Sequence, residues 1–135
     1  MTARISLTLR QFQEVEHLHP TLWEVLEDCI QHWPGEQMEV TCIYRNREEE
    51  KAAGGKSGVH VTEPHRAADL RIKNLGEGFK KKALALAETI NSLWIYDDIN
   101  DEKRKNLNVA YAKPHGTGPH VHIQVHSRTV RRPLF

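Results

Sequence analysis

The sequence predicts an α+β domain, a small and mainly antiparallel sheet covered by helices. Three observations lead there: two stretches carry apolar residues at helical spacing, four short stretches read as strands, and Pro- and Gly-containing turns separate them. At 135 residues the chain is the size of one domain, and no internal repeat, low-complexity stretch or long linker divides residues 1–135.

The elements follow in order. After a polar opening, Thr21 is placed to cap a helix running to about Trp33, with Leu22, Val25, Leu26, Cys29 and Ile30 on one face and Pro34-Gly35 as its stop. Glu39 to Arg45 is rich in β-branched and aromatic residues and reads as a strand. A polar stretch with the acidic run Glu48 to Glu50 and the Gly54–Gly58 loop leads to a short strand, Ala67 to Ile72. From about Gly78 to Leu93, Phe79, Ala83, Leu86, Ile90 and Leu93 recur in steps of four and three, the strongest helix signal in the chain. Lys80 to Lys82, near its start, read as a solvated face because cations are disfavoured there by the helix dipole. Strands at Leu107 to Ala112 and His120 to Val125 are joined by a turn containing Pro114, Gly116, Gly118 and Pro119.

Composition excludes several classes. Hydrophobic residues at 39% and charged residues at 27% rule out a disordered tail, a collagen-like chain or a rod. No apolar run is long enough for a membrane span. Met1 to Arg10 lacks the pattern of a signal peptide, so synthesis in the cytoplasm is expected. Nineteen basic against eighteen acidic residues argue against a nucleic-acid partner, and only the tail with Arg128, Arg131 and Arg132 is locally basic. Cys29 and Cys42 form no disulfide framework or metal knuckle and read as small buried apolar residues.

Histidine is the unusual component. Six of nine lie between residues 60 and 126: His60, His65, His115, His120, His122 and His126. Side chains alternate across a strand, so His120, His122, Gln124 and His126 share one face and Val121, Ile123 and Val125 the other. In the second strand Asp69 and Arg71 oppose Ala68, Leu70 and Ile72. A carboxylate and paired imidazoles are thus available on polar sheet faces. With a histidine from the loop before Asp69 they supply the three ligands of a catalytic zinc and leave a fourth position open.

Three blocks carry a family resemblance: Tyr44-Arg45; Ser57-Gly58-Val59-His60 leading into Arg66-Ala67-Ala68-Asp69-Leu70; and His120-Val121-His122. Together they resemble the zinc metallopeptidases of the D-alanyl-D-alanine carboxypeptidase and Hedgehog fold, including phage L-alanyl-D-glutamate endolysins and D,D-dipeptidases. The resemblance implies that fold, with Arg45 binding a substrate carboxylate and His60, Asp69 and His122 holding zinc (Zn2+). There are departures. His60 and Asp69 stand nine apart, two more than the family's usual spacing, and His65 occupies the place of a family glycine. Two residues rather than one separate Ser57 from His60, and Pro119 stands where the family has its catalytic acid. His120, on the face of His122, is then the nearest candidate base. The spacing of His65 to Asp69 and of His120-x-His122 is also similar to the lysostaphin-type endopeptidases, which would make His65 the first ligand.

The expected function is zinc-dependent cleavage of peptidoglycan stem peptides by a phage endolysin-like hydrolase. Such a protein acts at the cell wall when released by a holin or carried in the virion, where other phage virion proteins are its expected partners. The alternative is a non-catalytic zinc module of virion or cell wall that has lost its acid. Alone, His60 reads as a loop histidine, Asp69 as a surface carboxylate and Arg45 as an ion-pair partner for Glu48 to Glu50. His115, His126 and Glu63 read as loop or rim residues, and His17, His19 and His32 as structural or exposed.

Overall fold

The computed structural model describes residues 3–43, 65–96, 108–113, 118–125 and 129–132. In chain order the described elements are β1 (Arg4–Ser6), α1 (Leu9–Glu14), a 3-10 turn (Val15–His17), α2 (Pro20–His32), β2 (Gln37–Cys42), β3 (Ala67–Arg71), a second 3-10 turn (Lys73–Leu75), α3 (Phe79–Leu93), β4 (Trp94–Ile95), β5 (Ala110–Lys113), β6 (His120–Gln124) and β7 (Val130–Arg131). The five-stranded sheet has the order β1-β2-β3-β6-β5, with β1 parallel to β2 and the other pairs antiparallel. A separate β4-β7 pair closes the tail against the end of α3. The expected class, mixed α+β with a mostly antiparallel sheet, is therefore observed, with three α-helices among the described residues.

Local chemistry explains where the helices begin. The imidazole of His19 caps α2, its Nδ1 accepting from the Thr21 amide at 3.1 Å, and Pro20 enters at the first turn, where a missing N–H costs nothing. The cap thus lies two residues before the expected Thr21, because a ring nitrogen substitutes for a hydroxyl. Gly78 starts α3 with φ +77°, a left-handed conformation that residues bearing a Cβ adopt reluctantly. Lys80 and Lys81 are exposed, as the solvated-face reading expects, and Lys82 is exposed with its ammonium donating to the Leu75 carbonyl at 3.1 Å.

One core joins both long helices to the sheet. Leu22, Val25, Leu26 and Cys29 of α2 and Ala83, Leu86, Ala87 and Ile90 of α3 share it with Met38, Val40, Ala68, Leu70, Val121 and Ile123. These strand positions alternate as expected, so the sheet turns its apolar face to the helices. Burial pushes the Cys29 thiol far above its ordinary pKa, with nearby Asp28 adding to the shift, so it stays a protonated apolar filler. Cys42 is only half-buried.

The opening, which sequence reading left without regular structure, forms β1 and α1, the latter held by a reciprocal capping box between Thr8 and Gln11. At the other end, Arg131 stacks over Trp94 with its guanidinium carbon 4.7 Å from the ring centroid, and donates to Asp28 at 2.6 Å. Arg132 donates to the Asn91 carbonyl at 2.9 Å. Two arginines of the locally basic tail are thereby tied to the fold.

Asn91 links α3 to the outer strand. Its Oδ1 accepts from the Val109 and Ala110 amides at 2.9 and 3.0 Å, and its Nδ2 donates to the Ala110 carbonyl at 2.9 Å. Three backbone groups at the rim of β5 depend on this one side chain. Asn91→Ala is expected to lower stability by about 2 kcal/mol, read from urea unfolding, since those groups lose their partner at once.

Candidate metal centre

The paired strands β3 and β6 build the centre. Their register sets Asp69 opposite His122 and Arg71 opposite His120. Directly opposed residues of an antiparallel pair share a face, so Asp69, His122 and His120 stand together on the face turned away from the core. On β5, Tyr111 lies opposite His122 and Lys113 opposite His120. The Tyr111 and His122 rings are 6.2 Å apart and tilted by 48°.

Three donor atoms converge. Nδ1 of His122 lies 2.8 Å from Oδ1 of Asp69, and Nε2 of His120 lies 3.7 Å from the same oxygen. One ligand atom from each of the three residues falls within 4.8 Å of the others. The Asp69 and His122 side chains are buried, 8% and 9% exposed, while His120 at 26% reaches towards solvent. A buried carboxylate is costly unless paired, and His122 provides that partner. The open side of the group is therefore the side of His120.

The hydrogen bonds at the rear of the rings determine what faces inward. Nδ1 of His120 is 2.8 Å from the Gly118 carbonyl oxygen, which can only accept, so that nitrogen carries the proton and Nε2 offers its lone pair to the centre. Nε2 of His122 contacts Oε1 of Gln124 at 2.9 Å. The group can hold a metal ion. Four ligands at zinc distances of about 2.0 to 2.1 Å around a tetrahedral ion are about 3.3 to 3.4 Å from each other, and the observed 2.8 and 3.7 Å straddle that value. Two imidazoles and a carboxylate suit zinc and neighbouring first-row divalent ions alike.

Of the residues singled out from sequence, Asp69 and His122 are brought together as expected. His120, expected as a base, stands within the same donor group. His60 and Arg45 lie outside the described residues, as do Glu63, His115 and His126. His65, the alternative first ligand, is buried and is not part of this group. Its backbone joins the segment before α2, accepting from the His19 amide at 2.7 Å and donating to the His17 carbonyl at 2.8 Å, and its ring meets that of His17 edge-on. Gln124 and the Gly118 carbonyl received no role from sequence reading. The period of two that placed Gln124 beside His122 was the available signal for the first; a backbone carbonyl leaves none.

Comparison of the chain with protein-family models, curated proteins and solved structures returns no match. The geometry alone generates the test. Cobalt(II) added to metal-free protein is expected to give visible d–d absorption that saturates at one equivalent. In Asp69→Ala and His122→Ala the affinity is expected to fall by at least the roughly 100-fold that marks the upper end for loss of a mere supporting group.

Proposed function

We propose that the chain is a zinc-dependent peptidase acting on peptidoglycan stem peptides, with Asp69, His120 and His122 holding the ion. The observation that carries this reading is the convergence of one carboxylate oxygen and two imidazole nitrogens on adjoining strands, beside a partly exposed opening. Two neutral imidazoles and one carboxylate leave a bound dication with net positive charge. When bound, zinc supplies a Lewis acid and lowers the pKa of its water to about 7, chemistry suited to amide hydrolysis at neutral pH.

The chain's own residues have separable tasks in this reading. Asp69 supplies the negative charge and holds His122 across the strand pair. His120 serves as the third ligand, because its Nε2, with the ring's other nitrogen held by the Gly118 carbonyl, lies 3.7 Å from Oδ1 of Asp69 within the donor group. Arg45 remains the proposed partner for a substrate carboxylate through a bidentate guanidinium fork, and it comes from the family resemblance. The fold class and the three-residue group are both compatible with the D-alanyl-D-alanine carboxypeptidase and Hedgehog fold, to which the proposal extends. Synthesis in the cytoplasm with action at the cell wall, on release by a holin or from a virion, completes it. No helix among the described residues is long and apolar enough to cross a membrane.

The deciding experiment is turbidity clearance of purified cell walls by zinc-loaded protein, with soluble peptide products identified by mass spectrometry. Clearance is expected with zinc and is expected to disappear on chelation. His120→Ala is expected to lose zinc together with activity; retention of zinc with loss of turnover would make His120 the base and His60 the third ligand. A zinc-loaded protein that binds walls without releasing peptides would favour the non-catalytic module. A second prediction concerns recognition: Arg45→Lys should lower kcat/KM at least tenfold while zinc content and thermal unfolding are unchanged.

A further inference from the structure

We infer that Gln124 is a positioning residue that determines which nitrogen of His122 is offered to the metal. This inference rests on the metal reading above and adds to it the group that selects the ligand atom. The sequence places Gln124 two residues after His122, and the strand carries both to one face, so the amide reaches the rear of the ring. Its Oε1 lies 2.9 Å from Nε2 of His122. When a metal takes Nδ1 the ring's one proton is on Nε2, and the amide oxygen, which only accepts, is placed to hold it there. With Gln124 at the rear, Nδ1 is the nitrogen that faces Asp69, at 2.8 Å.

The consequence is electrostatic. Without a metal a proton on Nδ1 can bridge to the Asp69 carboxylate at 2.8 Å, whereas with Nε2 protonated the Nδ1 lone pair and that carboxylate both turn to positive charge placed between them. His120 adds a third lone pair from 3.7 Å, its own proton held behind it by the Gly118 carbonyl. Both rings are thus tethered from the rear, one by main chain and one by an amide side chain. The two tethers are not equivalent. The carbonyl of Gly118 cannot be removed by substitution, whereas the tether on His122 is a single replaceable group. Gln124 is half-buried at the end of β6, where an isosteric apolar side chain is tolerated without a core cavity.

The test compares wild type with Gln124→Met, of similar shape without the amide acceptor, and Gln124→Glu, which keeps an acceptor oxygen. Zinc affinity is measured by competition with a chromophoric chelator, and the His122 ring is read by long-range proton–nitrogen NMR. Wild type is expected to show His122 protonated at Nε2 and metal-bound at Nδ1. Gln124→Met is expected to weaken zinc binding by about 10- to 100-fold and to lose the single Nε2-protonated form, while Gln124→Glu restores both. Equal affinity and an unchanged tautomer in Gln124→Met would overturn the inference, as would equal losses in the Met and Glu variants. A wild-type protein that binds no zinc defeats the metal reading itself, a result distinct from a wild type that binds while Gln124→Met binds as well.

Discussion

The pairing register of β3 with β6 is the constraint on which the rest of the molecule depends. Asp69 faces His122 only because Leu70 faces Val121 and Ala68 faces Ile123 on the other side of the same two strands. A slip of one residue would carry the carboxylate into the core and an apolar side chain to the centre, so the packing of α2 and α3 on the apolar face specifies the polar one. The centre is therefore built on two interior strands of the sheet, each paired on both sides. Its donor atoms take their positions from ladder hydrogen bonds, whose cost is already met by folding.

The same register accounts for the polarity gradient across the outer face. Asp69 and His122 occupy a closed row with Tyr111, and the next row, Arg71, His120 and Lys113, is cationic and open. Arg71 is itself balanced by Glu39 of β2, 3.6 Å away. Passing from one row to the other takes a ligand from solvent, past positive charge, to the donor group. The carboxylate of Asp69 thus stands at the buried end of the gradient and the ammonium of Lys113 at its exposed end.

Period and alternation made the core of this fold readable before any coordinates. Helix α3 begins and ends within a residue of its apolar stripe, and β6 shows the alternation that HVHIQ predicts. What was missed has a common cause. The strand β1 is three residues long and pairs through backbone groups, β4 and β7 are two residues each, and none offers a periodic signal. His19 as a helix cap escaped notice because a ring nitrogen is an uncommon substitute for a hydroxyl. In the centre, residue types and strand spacing pointed to Asp69 and His122 together, and to His120 as their neighbour. The Gly118 carbonyl that turns Nε2 of His120 inward leaves no trace in the sequence, because main-chain acceptors are invisible in a list of side chains.

Asn91 has a further consequence for how an extended ligand can approach. By satisfying the amide and the carbonyl of Ala110, its side chain imitates one residue of a neighbouring strand and occupies the rim of β5 at that point. An incoming peptide finds no ladder to join there, and another copy of the chain finds no template for sheet extension. The donor group lies on the other face of the sheet, with His120 as its most exposed member. A helix side chain thus closes one hydrogen-bonding position on the edge of the sheet whose opposite face carries the donor group.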